Sequence, residues 1–233
     1  MTHRRLALIL VALLALAGCD QVAITWGAPT PAPTPGSAAA ALALLPVKGR
    51  APRTGYDRKA FGQSWADIDR NGRDQRNDVL ARDLDGTTFK PGTRDCKVLS
   101  GTLPDPYTGQ PVAFLSGPGT SDDVQIDHLV ALSDAWRTGA QQLDPATRER
   151  LANDPLNLIA TAGPVNQAKG ESDAASWLPP HRPAWCAYVA RQVAVKLTYA
   201  LWVTAAERDA MARVLTGCPE QLVPTDGASR LGG

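Results

Sequence analysis

Apolar positions fall into three regimes along the chain. Leu6 to Ala17 is an uninterrupted apolar run behind Arg4 and Arg5. It is too short to span a bilayer, which takes about 20 apolar residues, so residues 1–18 read as a signal peptide. Apolar periodicity then vanishes: Ala28-Pro29-Thr30-Pro31-Ala32-Pro33-Thr34-Pro35-Gly36-Ser37 is an extended, semi-rigid spacer. Residues 19–40 therefore read as a linker, 41–219 as one folded domain and 220–233 as a flexible tail. Within the domain, alternation predicts a strand over Val124–His128, and apolar spacing predicts a helix over 129–136. Further helices are expected at 79–84, 145–152, 185–202 and 205–215, with a turn and then a strand between 153 and 160. Segments 96–100 and 111–115 flank Asp105-Pro106-Tyr107-Thr108-Gly109, a proline-early, glycine-late turn that predicts a hairpin. The class is α+β, a helix-rich single domain.

Cysteine placement adds a compartment. The apolar run ends in Leu16-Ala17-Gly18-Cys19, which looks like a bacterial lipobox with Cys19 as the acylated residue. Diacylation supplies the two chains that stable anchoring requires. The chain is thus expected outside the cell, lipid-anchored to the outer face of the bacterial cytoplasmic membrane or released from it. Thr204 and Glu207 have capping-box spacing and mark a break between two helices of similar length. Folded back antiparallel, those helices bring Cys186 and Cys218 into bridging range, so a disulfide is expected there. Cys96 is left over.

Charge changes the picture little. A formal net charge of +1 excludes a protein that coats nucleic acid through bulk electrostatics, but not an enzyme that grips one or two phosphates.

Candidate chemistry sits mid-chain. Asp127 and His128 end a strand, Asn157 opens another, and Asn166 and Lys169 lie one turn apart in Pro164-Val165-Asn166-Gln167-Ala168-Lys169-Gly170, whose proline suits a helix start. Such a strand, strand, helix arrangement converges on one metal. Hydrolysis of a phosphodiester needs a base near neutral pH, here His128, and a hard cation to neutralise the charge that develops. Mg2+ or Mn2+ accepts one carboxylate, Asp127, and one amide oxygen, Asn166, and keeps waters. Asn157 would hold the backbone or the His128 ring, and Lys169 would pair with a phosphate. His181, in Pro179-Pro180-His181-Arg182-Pro183, reads as structural, with a role near substrate as the alternative. Two histidines past the signal peptide are too few for a multi-histidine zinc site.

Gln125-Ile126-Asp127-His128-Leu129-Val130-Ala131-Leu132, Asn153-Asp154-Pro155-Leu156-Asn157-Leu158 and Asn166-Gln167-Ala168-Lys169-Gly170 resemble the HNH endonuclease family. The resemblance is closer to an exported bacterial branch related to the C-terminal nuclease domain of GmrSD-type restriction enzymes. Gly55-Tyr56-Asp57-Arg58 and Ala174-Ala175-Ser176-Trp177-Leu178-Pro179-Pro180 extend it over nearly the whole domain. It implies a ββα-metal (His-Me finger) core, DNA or RNA as substrate with DNA favoured, a monomer, and His128, Asn157 and Asn166 at the three positions that name the motif. It also implies a cysteine where this chain has Arg73, which would leave Cys96 without its partner.

Other readings compete. Asp67-x-Asp69-x-Asn71-Gly72 with Asp78 at the twelfth position has calcium-loop spacing, although Asp replaces the usual Glu. Alternatively this is an Asx-rich turn, or Asp74, Arg76 and Asn77 line the cleft. Trp65, Trp136, Trp177, Trp185 and Trp202 are expected to pack, and Arg191 and Lys196 to face DNA or solvent. The rival functions are a surface-tethered binding lipoprotein on an inactive nuclease scaffold, and a calcium-stabilised adhesion or cell-wall module.

Overall fold

Alternation along β4 (Val124–His128) divides the interior into two sides. Val124 and Ile126 enter one apolar cluster, and Gln125 and Asp127 face away from it. β5 (Leu158–Ala162) pairs antiparallel with β4 in a register running from Val124↔Ala162 to His128↔Leu158. Leu158 and Ala160 extend the first cluster, whereas Ile159 joins a second one with Tyr107 and Tyr188. Helix α5 (Gly163–Lys169) follows β5 without a loop, Pro164 sitting in its first turn. A strand, strand, helix unit results. The computed structural model describes residues 34–231, so the signal peptide, Cys19 and the spacer through residue 33 lie outside the described residues. Seven α-helices and two antiparallel sheets occur among the described residues, and none of those helices is long and apolar enough to cross a membrane.

The second sheet has the order β1-β2-β3, from β1 (Asp85–Phe89), β2 (Val98–Pro104) and β3 (Pro111–Leu115). The expected hairpin is β2–β3, closed by Pro104↔Pro111. β1 was not foreseen, because Asp-Gly-Thr-Thr-Phe is mostly exposed and lacks apolar alternation. Helix α2 (Gln75–Asp83) starts earlier than expected, at the Asp74 cap, because its first turn is polar.

Two helical boundaries moved for tertiary reasons. The expected helix at 129–136 is α3 (Leu132–Arg137). Residues 129–131 stay out of it because the Asn157 carbonyl and side chain capture the Leu129 and Val130 amides. Helix α4 (Pro145–Asn153) carries the anticipated proline and an Asp144 cap. Helix α6 (Trp185–Thr198) stops short of residue 202, where Ala200 turns to a φ of 51° and the Leu201 amide bonds to Lys196. Helix α7 (Ala205–Thr216) has both halves of the Thr204/Glu207 capping box. The Cys186–Cys218 disulfide is formed, and Cys96 is free among the described residues.

Both ends of the domain differ from expectation. Helix α1 (Ala38–Leu42) is capped by Ser37 and buries Ala38, Ala41 and Leu42 against α6 and α7, so the folded body begins before residue 41. The 220–233 tail is fastened through residue 231, not free. Arg82 donates to the Gly227 carbonyl, Arg230 donates to Asp85 and to the Arg82 and Leu84 carbonyls, and Leu231 is buried. Gly227 meets the Pro155–Leu156 backbone so closely that a Cβ there would lie 2.1 Å from the Pro155 carbonyl carbon.

Helix α6 is buried on nearly every side, and Arg191 and Lys196 face neither DNA nor solvent. Arg191 donates to the carbonyls of Pro155 and Leu156. Lys196 lies against Asp134 at 3.1 Å and Glu207 at 2.9 Å. Buried charges persist when paired in this way. Burial nevertheless pushes Glu207 up to about 7, against the pull of the Lys196 ammonium.

Two outcomes follow from this packing. Reduction of Cys186–Cys218, which closes a loop of 32 residues, should lower unfolding free energy by about 3–4 kcal/mol in denaturant titrations. Glu207 binds its proton more tightly folded than unfolded. Its stabilising contribution is therefore full below an unfolded value near 4.5 and is lost as pH rises through about 7. Glu207→Gln keeps a capping-box partner and removes that term. Its urea midpoint should gain on the wild type's between pH 4.5 and 7, and an unchanged difference would contradict the burial of this group.

Candidate active site

Asp127 leaves β4 on the side away from the first apolar cluster, where an acidic group needs partners. It has two. Lys169 donates to its Oδ1 at 3.0 Å and lies 2.9 Å from Oδ2, and the Tyr107 hydroxyl donates to Oδ2 at 2.7 Å. Lys169 Nζ also donates to the His128 carbonyl at 2.8 Å. Lys169 is 1% exposed, so its ammonium is spent inside the protein. That differs from the expected phosphate contact: the lysine fastens α5 to the end of β4. Burial, and then the Asp127 carboxylate, raise the Tyr107 hydroxyl well above its usual range, which keeps it a neutral donor.

His128 is fixed through its ring. Nε2 lies 2.8 Å from the Ala152 carbonyl at the end of α4. A carbonyl only accepts, so this contact assigns the proton to Nε2 and leaves the lone pair on Nδ1. Burial first, then the Arg58 guanidinium and Lys169, push the imidazole down to about 3, opposed by the Ala152 bond. It is neutral at pH 7, as a base must be. The Trp65 indole lies nearly parallel to it, 6.2 Å away between centroids.

Asn157 is fully buried and makes no hydrogen bond to the imidazole. Its Oδ1 accepts from the Val130 amide at 2.8 Å, and its Nδ2 donates to the Val130 and Leu151 carbonyls. Of the two expected tasks, it performs the backbone one. Asn166 donates through Nδ2 to Gln125 Oε1 at 2.9 Å, which leaves its amide oxygen as the free acceptor.

Asp127, His128 and Asn166 line one cleft of ≈ 250 Å³, with Tyr56, Arg58, Ser133 and Glu171. Each Asp127 oxygen retains acceptor capacity beyond the bonds described, and Asn166 adds a neutral oxygen. This all-oxygen pair fits a hard divalent cation that keeps most of its waters. Arg58 and Tyr107 were not singled out as site residues. Gly55-Tyr56-Asp57-Arg58 was visible only as a flank and Asp105-Pro106-Tyr107 only as a turn, because nothing local reveals that they reach β4.

The calcium-loop spacing does not assemble a cage. Asp67 accepts from the Asn71 and Gly72 amides, Asp69 from Asn71, and the Asn71 amide also reaches Asp78. The loop is an Asx-rich turn. No group of three His, Cys, Asp or Glu side chains among the described residues is arranged to hold a metal ion. Asp74, Arg76 and Asn77 do not line the cleft either: Asp74 caps α2, Arg76 donates to the Ser121 and Val124 carbonyls, and Asn77 accepts from the Val98 amide. His181 lines a separate cavity with its ring against Gly109.

Lys169→Met should cost about 3–5 kcal/mol, because it strands a buried carboxylate. Lys169→Met/Asp127→Asn should be less destabilised than the sum of its single variants when the four proteins are unfolded in urea. Strict additivity would contradict the pairing.

Among known proteins, the family described as the C-terminal domain of GmrSD restriction endonucleases matches residues 74–214. A protein of Arthroderma benhamiae, described as an uncharacterized secreted protein, is 38% identical over 194 residues, which cover 82% of this chain and 90% of that protein. The relative is fungal, so the likeness is not confined to the bacterial branch suggested by the sequence. No solved structure matches the chain.

Proposed function

The chain belongs to the family of GmrSD restriction endonuclease C-terminal domains, and on that premise we propose that it is an exported, metal-dependent HNH-type endonuclease that hydrolyses phosphodiester bonds, DNA favoured, with His128 as general base. One observation carries this reading: Asp127, His128 and Asn166, from β4 and α5, open on the same cleft. A fungal relative described as secreted and the Cys186–Cys218 disulfide support export. Acylation at Cys19 would hold the enzyme to the outer face of a bacterial cytoplasmic membrane, where it acts as a monomer.

His128 Nδ1 takes the proton of an attacking water, while the Ala152 carbonyl holds the far side of the ring and steadies the charge it acquires. Asp127 and Asn166 would hold a divalent metal, Mg2+ or Mn2+, which would supply neutralisation of charge on the phosphate and the leaving oxygen. Lys169 and Tyr107 fix the Asp127 carboxylate, and Asn157 fixes the chain just past His128. Arg58, exposed at the mouth of the cleft, draws the phosphate in.

The test is cleavage of plasmid and single-stranded DNA with magnesium, manganese, calcium or chelator. Wild type should cut in a metal-dependent manner, and His128→Ala should lose at least about 100-fold in rate, the scale of general-base catalysis. A well-folded wild type that cuts nothing under any metal would sink the enzyme reading. A surface-tethered binding lipoprotein on a nuclease scaffold would then remain.

A further inference from the structure

The cleft does not end at Ser133 and Glu171. Both residues also line an adjoining, strongly polar groove of ≈ 260 Å³ with Arg50, Asp134, Arg137, Ser172 and Ser176. The segment 48–59 borders both cavities: Arg50 lines the groove, and Tyr56 and Arg58 line the cleft. The Ala51 amide bonds to the Arg137 carbonyl, which ties this segment to the end of α3.

Pairing within the groove is uneven. Each acid has a cationic partner: Asp173 has Arg50, Glu171 has Arg53, and Asp134 has Lys196 with Arg50 further off. Arg137 has none among the described residues, and its Nε, like Asp134 Oδ1, has no hydrogen-bond partner among them. Arg137 thus lines the groove with a guanidinium that no carboxylate among the described residues neutralises. The Ser133 side chain bridges the two cavities and offers a further hydroxyl. A phosphodiester strand has the matching chemistry, with anionic oxygens repeated along its length, and a guanidinium binds such oxygens bidentately.

Resting on the nuclease reading, we propose that this groove is a second phosphate subsite, in which Arg137 pairs with a backbone phosphate of the same strand some way from the bond being cut. Arg58 faces the cleft and Arg137 the groove, so the strand is gripped on both sides of Ser133. The enzyme therefore acts on polynucleotides in preference to small phosphodiesters.

The test compares two substrates with the full chain: a short oligonucleotide, and bis(p-nitrophenyl) phosphate, which is too small to reach the groove. In Arg137→Gln the ratio of kcat/KM for the oligonucleotide to that for the small diester should fall roughly tenfold, through KM, as one charge-assisted contact is lost. The slope of log affinity against log salt, measured by oligonucleotide anisotropy in chelator, should become shallower by about 0.7–0.9, one phosphate contact. Arg137→Lys should recover most of that slope, and Lys97→Gln, on the exposed β1–β2 connection, should change neither quantity. Thermal melts confirm that each variant is folded. Equal losses on both substrates, or an unchanged ratio and slope, would overturn the subsite while leaving the nuclease intact. A wild type that hydrolyses neither substrate would overturn the reading on which the subsite rests.

Discussion

The candidate site depends on a lysine taken out of water. Lys169 ends α5, and its ammonium donates to Asp127 Oδ1 and to the His128 carbonyl and lies 2.9 Å from Asp127 Oδ2. Removing a charge from solvent costs several kcal/mol unless the interior returns its interactions, and here a carboxylate and a main-chain carbonyl do so. The bond to a main-chain carbonyl matters most, since it fixes the backbone of the residue read as the base. α5 is thus pinned to β4 from the side chain inward, and Asn166, one turn earlier on α5, is brought to the same cleft.

Around this pair, other polar groups are spent on backbone that belongs to neither a helix nor a strand. Asn157 holds residues 129 and 130, Gln192 on α6 donates to the Leu129 carbonyl, and Arg191 satisfies the carbonyls of residues 155 and 156. Loops buried this deeply would otherwise carry unpaired amides and carbonyls. The buried polar side chains of α6 therefore act as scaffold for the 129–131 and 154–157 turns that carry the His128 environment. Two arginines that bear on the cleft and its groove, Arg58 and Arg137, are left for the substrate.

Much of this was legible in the amino-acid pattern where the cause is local. β4 announced itself by alternation, α7 by its capping box, α4 and α5 by their prolines, and the disulfide by two helices of similar length. Asp127, His128 and Asn166 stood out because few residue types suit such chemistry, and the three line one cleft. What escaped was non-local. A lysine one turn from an asparagine looks the same whether it faces water or Asp127, and Tyr107 reveals its reach only when β2 and β3 fold against β4. Residues 227–231 resemble a tail because they lack periodicity, yet their carbonyls answer the guanidinium groups of Arg82 and Arg191, and Arg230 in turn donates to backbone near β1. The spacing of Asp67, Asp69 and Asn71 suits a calcium loop and an Asx-rich turn alike, and only the directions of the amides separate the two.

The most direct measurement of the His128 arrangement is the 15N shifts of its ring nitrogens by long-range proton–nitrogen NMR, with the half-buried His181 as the internal comparison. The Ala152 contact and burial predict a neutral ring at pH 7, protonated on Nε2 with the lone pair on Nδ1, and still neutral at pH 5. An imidazolium at pH 7, or a ring carrying its proton on Nδ1, would contradict the assignment of His128 Nδ1 as the base.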